Sequence, residues 1–381
     1  MRDRRSLYWP LAVAAAVHLA LAGWYLVKTG GNTSFFVHFG AGHPVSAAYG
    51  GAAAGLWLHA GAYDGIAYYT IARSPFAIDE LSRLLDTPRY RYRRIVYPLA
   101  AAVLSLGRVE LVSLGLLLAN FFAMILGGYW LIRLLAADNV ASAWSLLYLL
   151  HPALLTSFLL DLPTAVVSAA VIFALWSYRR NFLSGVAVGL SLAVLTWEGL
   201  GLPATIGLAL ADVVTRRTWR VRWPLLVPLG VMLGWQAVVY RLFAGPLVLT
   251  EKVASVFGYP GVGWWRALRT AVLAPLGAGT PAQVLLLLCL AALGVTAVMR
   301  ALTRRGPFDA AAAVQAFFIA GFTVPNLILP VELTRKTIGL WLFAFLGFAQ
   351  HRDRWTMALL LGVAAATLLL GPWLPTVALP R

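Results

Sequence analysis

An aspartate and a cluster of arginines lie close together between the first two long apolar runs of the chain. Asp64 stands in the segment YDGIAYY, and the arginines lie in RYRYRRIVYP, residues 89–98. A carboxylate that aromatic residues partly shield from water can act as a general base near neutral pH. Arginine side chains donate paired hydrogen bonds to phosphate oxygens. We therefore predict that Asp64 is catalytic and that Arg91, Arg93 and Arg94 bind a phosphate.

Other roles remain open for these residues. The arginines could anchor the loop to lipid headgroups, or they could form internal salt bridges with Asp79, Glu80 or Asp86. Asp64 could cap the segment Ile66–Ala72, because aspartate is a favoured residue at a helix N-terminus. Gly65 would permit a tight turn or the close approach of a ligand. A capping role for Asp64 does not exclude a catalytic one.

Ionisable residues also stand at the edges of later apolar runs, where they are costly and often functional. Glu332 and Arg335 in the motif ELTR could neutralise each other at this helical spacing. We favour a structural or orienting role for Glu332 and a site role for Arg335. The full set of residues predicted to bind or orient a substrate is Tyr63, Tyr68, Tyr97, Asp161, Glu198 and Glu332.

The composition is that of a membrane protein. Hydrophobic residues make up 61% of the 381 residues and charged residues only 12%, about half the share in soluble domains. The apolar runs are continuous and rich in Leu and Ala, which favours transmembrane helices over the alternating strands of a β-barrel. The first run follows MRDRRS and is longer than a typical signal core, so we expect it to be retained.

The chain is predicted to be an all-α, polytopic membrane protein with a single domain, residues 1–381. About eleven spans are expected, at 7–27, 109–133, 141–160, 162–178, 182–198, 199–214, 223–243, 282–300, 309–329, 337–349 and 355–373. The short loops that carry most arginines would all lie on one side, which the positive-inside rule makes cytoplasmic. These arginines are Arg2, Arg4, Arg5, Arg179, Arg180, Arg216, Arg217, Arg220, Arg222, Arg300, Arg304, Arg305, Arg352 and Arg354.

This charge pattern also predicts whether one short apolar segment crosses the membrane. Ile95–Gly107 has too few residues for a span, and counting it as one would invert every later loop. We therefore predict a re-entrant or interfacial helix there, within one non-cytoplasmic loop at residues 28–108. The N-terminus would then be cytoplasmic and the C-terminus external, and we expect a prokaryotic plasma membrane. The net charge of +16 suits anionic lipids or a phosphate-bearing ligand.

Metal and nucleic-acid binding have little support in the sequence. The six histidines show no metal-ligand spacing, and Cys289 is the single cysteine. We predict no metal site and no cofactor, although a divalent ion between Asp64 and Asp161 remains open. The arginines are spread between apolar runs rather than along one solvated face, so nucleic acid is not an expected partner.

These motifs resemble the GT-C superfamily of membrane glycosyltransferases, especially the mannosyltransferases that use polyprenyl-phosphate sugars. The resemblance covers most of the chain but rests on short motifs: YDGIAYY, IVYP, HPALLTSFLLDLP, VGLSLAVLTWEGLGLP and ELTRKTIGLW. Two departures are that Asp64 is followed by Gly65 instead of a second acid, and that Trp197 replaces the usual arginine before Glu198.

The resemblance implies an inverting transfer of a sugar, with mannose favoured, at the non-cytoplasmic membrane face. The donor would be a polyprenyl-phosphate sugar that serves as co-substrate, and the acceptor a lipid, glycan or protein. Asp64 would take the acceptor proton while Arg335 and the three loop arginines stabilise the leaving phosphate. A transporter or flippase for an anionic lipid-linked substrate is the alternative function, and a scaffold without chemistry is a third.

Overall fold

α-Helices form nearly all the regular structure, and they make up about 80% of the protein. The computed structural model describes residues 7–216, 221–243, 256–273, 280–304 and 306–370. Several helices have a proline in their first turn, where its missing N–H has no helical partner to lose. The helices are α1 (Trp9–Lys28), α2 (Pro44–Ala48), α3 (Gly65–Arg73), α4 (Ile78–Leu84), α5 (Pro88–Tyr92), α6 (Val96–Leu104), α7 (Val112–Ala137), α8 (Leu146–Leu149), α9 (Pro152–Leu159), α10 (Thr164–Arg179), α11 (Leu183–Thr196), α12 (Glu198–Arg216), α13 (Val227–Leu242), α14 (Val262–Leu273), α15 (Thr280–Arg304), α16 (Pro307–Ala320), α17 (Pro325–Ile328), α18 (Pro330–His351) and α19 (Arg354–Leu369).

Long apolar helices confirm the expected class, a helical protein able to cross a membrane. Among the described residues, five helical stretches are long and apolar enough to span it: Trp9–Lys28, Val109–Ala137, Glu198–Arg216, Trp223–Leu242 and Thr280–Arg304. A sixth span is possible if the bent pair Ser142–Leu149 and Pro152–Leu159, with an angle of 49°, counts as one. The helices α10, α11, α16 and α19 are apolar but shorter.

Three of the predicted spans have different boundaries in the structure. The span predicted at 141–160 is broken before Pro152, which cannot donate a helical hydrogen bond. The span predicted at 309–329 ends at Ala320, and Pro325 starts the separate short helix α17. The span predicted at 337–349 begins earlier, at Pro330. The end of the span predicted at 355–373 lies outside the described residues, as do Arg2, Arg4, Arg5, Arg217, Arg220 and Arg305.

The loops that the charge pattern groups on one side meet at one end of the helices. Arg179, at the end of α10, forms an ion pair with Asp138, which follows α7. Arg352, after α18, donates to the carbonyl oxygen of Asp138 at 3.3 Å. Arg222 donates to the Asn181 side chain at 2.9 Å. These contacts join the loops that follow α7, α10 and α18, and they link Arg222 to the loop after α10.

The segment Ile95–Gly107 folds as the nine-residue helix α6, beside the beginning of α7. The Tyr97 hydroxyl donates to the carbonyl oxygen of Leu116 at 3.3 Å and accepts from Asn120 at 2.8 Å. A side-chain carbon added at Gly115 would lie 2.4 Å from the carbonyl oxygen of Ala101, so this close packing requires glycine. At about 1.5 Å per residue, α6 is too short to cross a bilayer.

The loop between α1 and α6 also contains the parallel strands β1 (Phe39–Gly40) and β2 (Leu58–His59). Beside this pair, the rings of His38 and His59 stack with centroids 3.7 Å apart. Both side chains are buried. Burial, together with repulsion from His59, lowers the pKa of His38 from 6.5 to about 3.

Acidification is therefore expected to destabilise the loop between α1 and α6. The unfolded chain binds a proton at His38 below about pH 6.5, whereas the folded state stays unprotonated until about pH 3. Stability is full above pH 6.5 and decreases as the pH falls, by about 2 kcal/mol at pH 5. Unfolding midpoints of the purified protein in detergent, measured from pH 7.5 to 5, would show this slope. His38→Asn should make the slope shallower, since one buried histidine is removed and asparagine tolerates the left-handed backbone of φ 62°. An unchanged slope in that variant would contradict the assignment.

Candidate functional site

Asp64 lies at the start of α3, with an arginine on each side of its carboxylate. One oxygen, Oδ1, accepts from Nη1 of Arg91 at 2.7 Å. The other, Oδ2, lies 3.6 Å from Nη2 of Arg335. Asp64 occupies the N-cap position of α3, but its side chain makes no capping hydrogen bond there. The catalytic candidate and two of the predicted phosphate ligands are thus in direct contact.

The ionisation of Asp64 reflects these two neighbours. Burial alone would raise the pKa of the carboxyl group, but attraction by Arg91 and Arg335 outweighs it and lowers the pKa below the usual value. Asp64 is therefore a carboxylate at neutral pH and has no proton of its own to give. It can accept a proton from a reacting group, and it becomes a stronger base whenever one arginine turns to another anion.

Gly65 allows α3 to start in a crowded position. An added side-chain carbon there would lie 2.7 Å from the carbonyl oxygens of both Val37 and Leu160. This close contact with neighbouring backbone is a third reason for glycine, beside the tight turn and the ligand approach that the sequence suggested. Glycine at this position therefore lets the start of α3, with Asp64, pack against the backbone of Val37 and of Leu160, the residue that follows α9.

Arg93 and Arg94 both bind the same carboxylate, at the first residue of α12. Arg93 donates to Glu198 at 2.6 Å, and Arg94 donates to its two oxygens at 2.8 and 3.0 Å. Both guanidinium groups also lie 4.4 Å from the ring centroid of Tyr90. The sequence suggested internal partners among Asp79, Glu80 and Asp86, but these two arginines pair with Glu198 instead. Of those three acids, Asp86 bonds Arg91 at 3.0 Å.

The start of α18 supplies the remaining charged groups. Arg335 bonds both oxygens of Glu332, at 2.7 and 2.9 Å, so the predicted pairing is present together with the contact to Asp64. Lys336, which the sequence analysis did not single out, lies 2.9 Å from Glu332. The Tyr63 hydroxyl donates to the same carboxylate. Glu332 thus holds hydrogen bonds to both Arg335 and Tyr63.

Two cavities meet at Tyr63 and Asp64. The larger has a volume of about 360 Å³ and is called the cationic cavity. Its charged lining is Asp64, Glu198, Glu332, Arg93, Arg94, Arg335 and Lys336, and its apolar lining includes Trp197, Phe257, Phe318 and Phe322. Four cations against three carboxylates leave it net positive.

The smaller cavity lies on the Arg91 side of Asp64 and has a volume of about 210 Å³. It is called the acidic cavity, because its charged lining consists of Asp64, Asp86 and Arg91. His43 and Tyr63 add polar groups, and the remaining lining is Val45, Ala62, Ile66, Ala67, Leu84 and Leu85. The opposite net charges on the two sides of Asp64 suit two different ligands, one in each cavity.

Three predicted site residues lie beneath the cavities and line neither. Tyr68 and Tyr97 are buried and contact each other edge to face, with centroids 5.3 Å apart. Asp161 is fully buried at a left-handed turn, φ 47°, and neither of its oxygens has a hydrogen-bond partner among the described residues. Burial raises the pKa of the Asp161 carboxyl well above its usual value. These residues can orient the site by packing but are shielded from a ligand in either cavity.

The carboxylates that line the cavities are neutralised by cations. Within the described part of the chain, no group of three or more His, Cys, Asp or Glu side chains is arranged to hold a metal ion. Arginine and lysine occupy the positions around Asp64, Glu198 and Glu332 at which a metal would otherwise balance charge. The arrangement suits the binding of an anion and the removal of a proton.

Comparison with known proteins identifies no relative. No family model matches the chain, and neither a curated protein nor a solved structure matches it. The functional argument therefore depends on the geometry around Asp64 and on the motif resemblance.

Proposed function

We propose that the protein is an inverting membrane glycosyltransferase of the GT-C type, with about eleven crossings. Its donor is a polyprenyl-phosphate sugar, mannose being favoured, and its acceptor is a hydroxyl group of a lipid, glycan or protein. The reaction takes place at the non-cytoplasmic face. One observation carries this proposal: the Asp64 carboxylate forms the shared wall of two cavities of opposite net charge.

The cationic cavity is suited to the donor. Arg335 lies beside Asp64, Lys336 pairs with Glu332, and Arg93 and Arg94 pair with Glu198. A bound phosphate would share these cations with the three carboxylates already present. Arginine matches phosphate oxygens with paired hydrogen bonds, and a water-poor site strengthens each one. The aromatic residues of the same cavity offer an apolar surface for the first units of a prenyl chain.

Asp64 lies where a base for this reaction is needed. The acceptor oxygen attacks the anomeric carbon and forms the new C–O bond, while its proton passes to Asp64. The bond between that carbon and the phosphate oxygen breaks, and the polyprenyl phosphate leaves with the electron pair. Attack from the acidic cavity and departure into the cationic cavity occur on opposite faces of the sugar, which inverts its configuration.

The decisive experiment uses the full chain in lipid nanodiscs with polyprenyl-phospho-mannose and a panel of hydroxyl acceptors. We expect a new glycosidic bond with the configuration opposite to that of the donor, detected by mass spectrometry and NMR. Release of polyprenyl phosphate should match product formation. Movement of the intact donor across proteoliposomes without transfer would support the transporter alternative and contradict this proposal.

Arg335→Lys is expected to weaken donor binding while the protein stays folded. Lysine keeps the positive charge that Glu332 and Asp64 require but lacks the planar fork. The KM for polyprenyl-phospho-mannose should rise by about tenfold, the value of one charge-assisted hydrogen bond. Arg83→Lys, on an exposed side chain of the same loop, is the matched control and should leave KM unchanged. Equal KM values in the two variants would remove Arg335 as a phosphate ligand.

A further inference from the structure

The acidic cavity differs from the cationic cavity in the charge of its lining and in its volume. It holds two carboxylates, Asp64 and Asp86, against the single guanidinium of Arg91. Its lining carries more negative than positive charge, which favours a neutral ligand over a phosphate. Its volume of about 210 Å³ is below the range of roughly 300–1,000 Å³ of pockets for drug-sized ligands. It therefore suits a small ligand without negative charge.

The lining of this cavity combines apolar and charged groups. Val45, Ile66, Leu84 and Leu85 provide an apolar surface, and the charged groups are Asp64, Asp86 and Arg91. A sugar ring has the same combination, since its C–H groups form an apolar face and its hydroxyls surround the edge. Carboxylates accept hydrogen bonds from such hydroxyls, and Arg91 donates to them.

His43 adds a hydrogen-bond donor to the acidic cavity, and its bond to Val45 shows which ring nitrogen carries the proton. The backbone N–H of Val45 donates to Nδ1 of His43 at 3.2 Å, so this nitrogen is unprotonated. The neutral ring must then carry its proton on Nε2. The same arrangement occurs at His151, whose Nδ1 accepts from Ala153 at 3.1 Å. At His43 the ring borders a cavity, whereas His151 is buried against Trp341.

We infer that the acidic cavity binds the acceptor, and that the acceptor presents a single neutral sugar or polyol ring, with His43 as a specificity-determining donor. This inference rests on the proposed function. A hydroxyl of the bound ring faces Asp64, gives it a proton, and attacks the donor sugar from the side opposite the leaving phosphate. A ring linked to a longer glycan or lipid at its far side fits as well, because Asp86 at the cavity is half-exposed and marks an opening.

The test uses a pair of matched variants at His43. In His43→Asn, the side-chain oxygen replaces Nδ1 as the acceptor from Val45, so the fold of residues 43–48 is kept while the Nε2 donor is lost. In His43→Gln, the longer amide restores a donor near the position of Nε2. The readouts are the KM for the acceptor and the Kd for polyprenyl-phospho-mannose. The acceptor probes are methyl α-mannoside, methyl α-glucoside and myo-inositol.

We expect His43→Asn to raise the acceptor KM by about fivefold to tenfold, the value of one hydrogen bond. His43→Gln should recover part of that loss, and the donor Kd should stay constant in both. Transfer by the wild type with an unchanged acceptor KM in His43→Asn would overturn the inference and leave the proposed function intact. So would transfer to a serine peptide but to none of the ring probes. Donor binding without transfer to any acceptor would refute the proposed function and this inference with it.

Discussion

Asp64→Asn is expected to lower the turnover number for sugar transfer by at least about a thousandfold, within the range that general base catalysis contributes. Asparagine has the shape of aspartate and can still accept hydrogen bonds from Arg91, but it cannot take the acceptor proton. The Kd for polyprenyl-phospho-mannose should change by less than about threefold, because the phosphate ligands remain in place. Single-turnover kinetics with radiolabelled donor would separate the two quantities.

The matched control for that variant is Asp79→Asn. Asp79 is an exposed acid in the first turn of α4, in the same loop as Asp64. The control should retain wild-type turnover and wild-type donor affinity. Wild-type turnover in Asp64→Asn would exclude Asp64 as the base, whereas loss of donor binding together with turnover would assign it to binding instead.

Glu198→Gln is expected to cause the largest loss of stability among single changes at the site. The Glu198 carboxylate forms ion pairs with both Arg93 and Arg94. Replacing it with a neutral amide leaves the two positive charges without a negative partner. Breaking a buried ion pair costs about 3–5 kcal/mol. We expect a cost at the lower end of that range, because 22% of the Glu198 side chain is exposed and water partly screens the pair.

The corresponding measurement is the thermal unfolding midpoint in detergent, followed by tryptophan fluorescence. We expect Glu198→Gln to lower it by about 5 °C. Glu110→Gln, an exposed acid at the start of the 109–137 helical stretch, serves as the control and should leave the midpoint unchanged. Equal midpoints in the two variants would show that Arg93 and Arg94 do not depend on Glu198 for charge balance.

Local sequence patterns predicted the parts of this protein that local forces determine. Continuous apolar runs predicted the helices, and the short apolar run at Ile95–Gly107 predicted the short helix α6. Asp64 and Arg91 share one loop, so their proximity could be expected from the chain alone. The apolar runs did not predict the break before Pro152 or the end of α16 at Ala320. A count of apolar residues does not take account of proline, which breaks a helix, or of packing between helices.

Pairing over long sequence separations could not be predicted in the same way. Glu198 is 104 residues from Arg94, and nothing in the segment LTWEGLGLP indicates which of the outer arginines it will bind. Lys336 and Tyr90 gave no separate signal, since one adjoins a stronger motif and the other alternates with arginines. Asp161 looked like a site acid because of its place between apolar runs, but burial removes it from both cavities.

The hydrogen bond from Tyr63 to Glu332 joins residues 269 positions apart, and this separation has a consequence for biosynthesis. The chain emerges from the ribosome N-terminus first, so the segment with Asp64 and its arginines is made long before its partners. Arg93 and Arg94 gain their carboxylate only when α12 is in place, and Asp64 meets Arg335 only when α18 follows. Until then the loop between α1 and α6 holds unbalanced charges. Assembly of the site around Asp64 is therefore among the last events in the maturation of the protein.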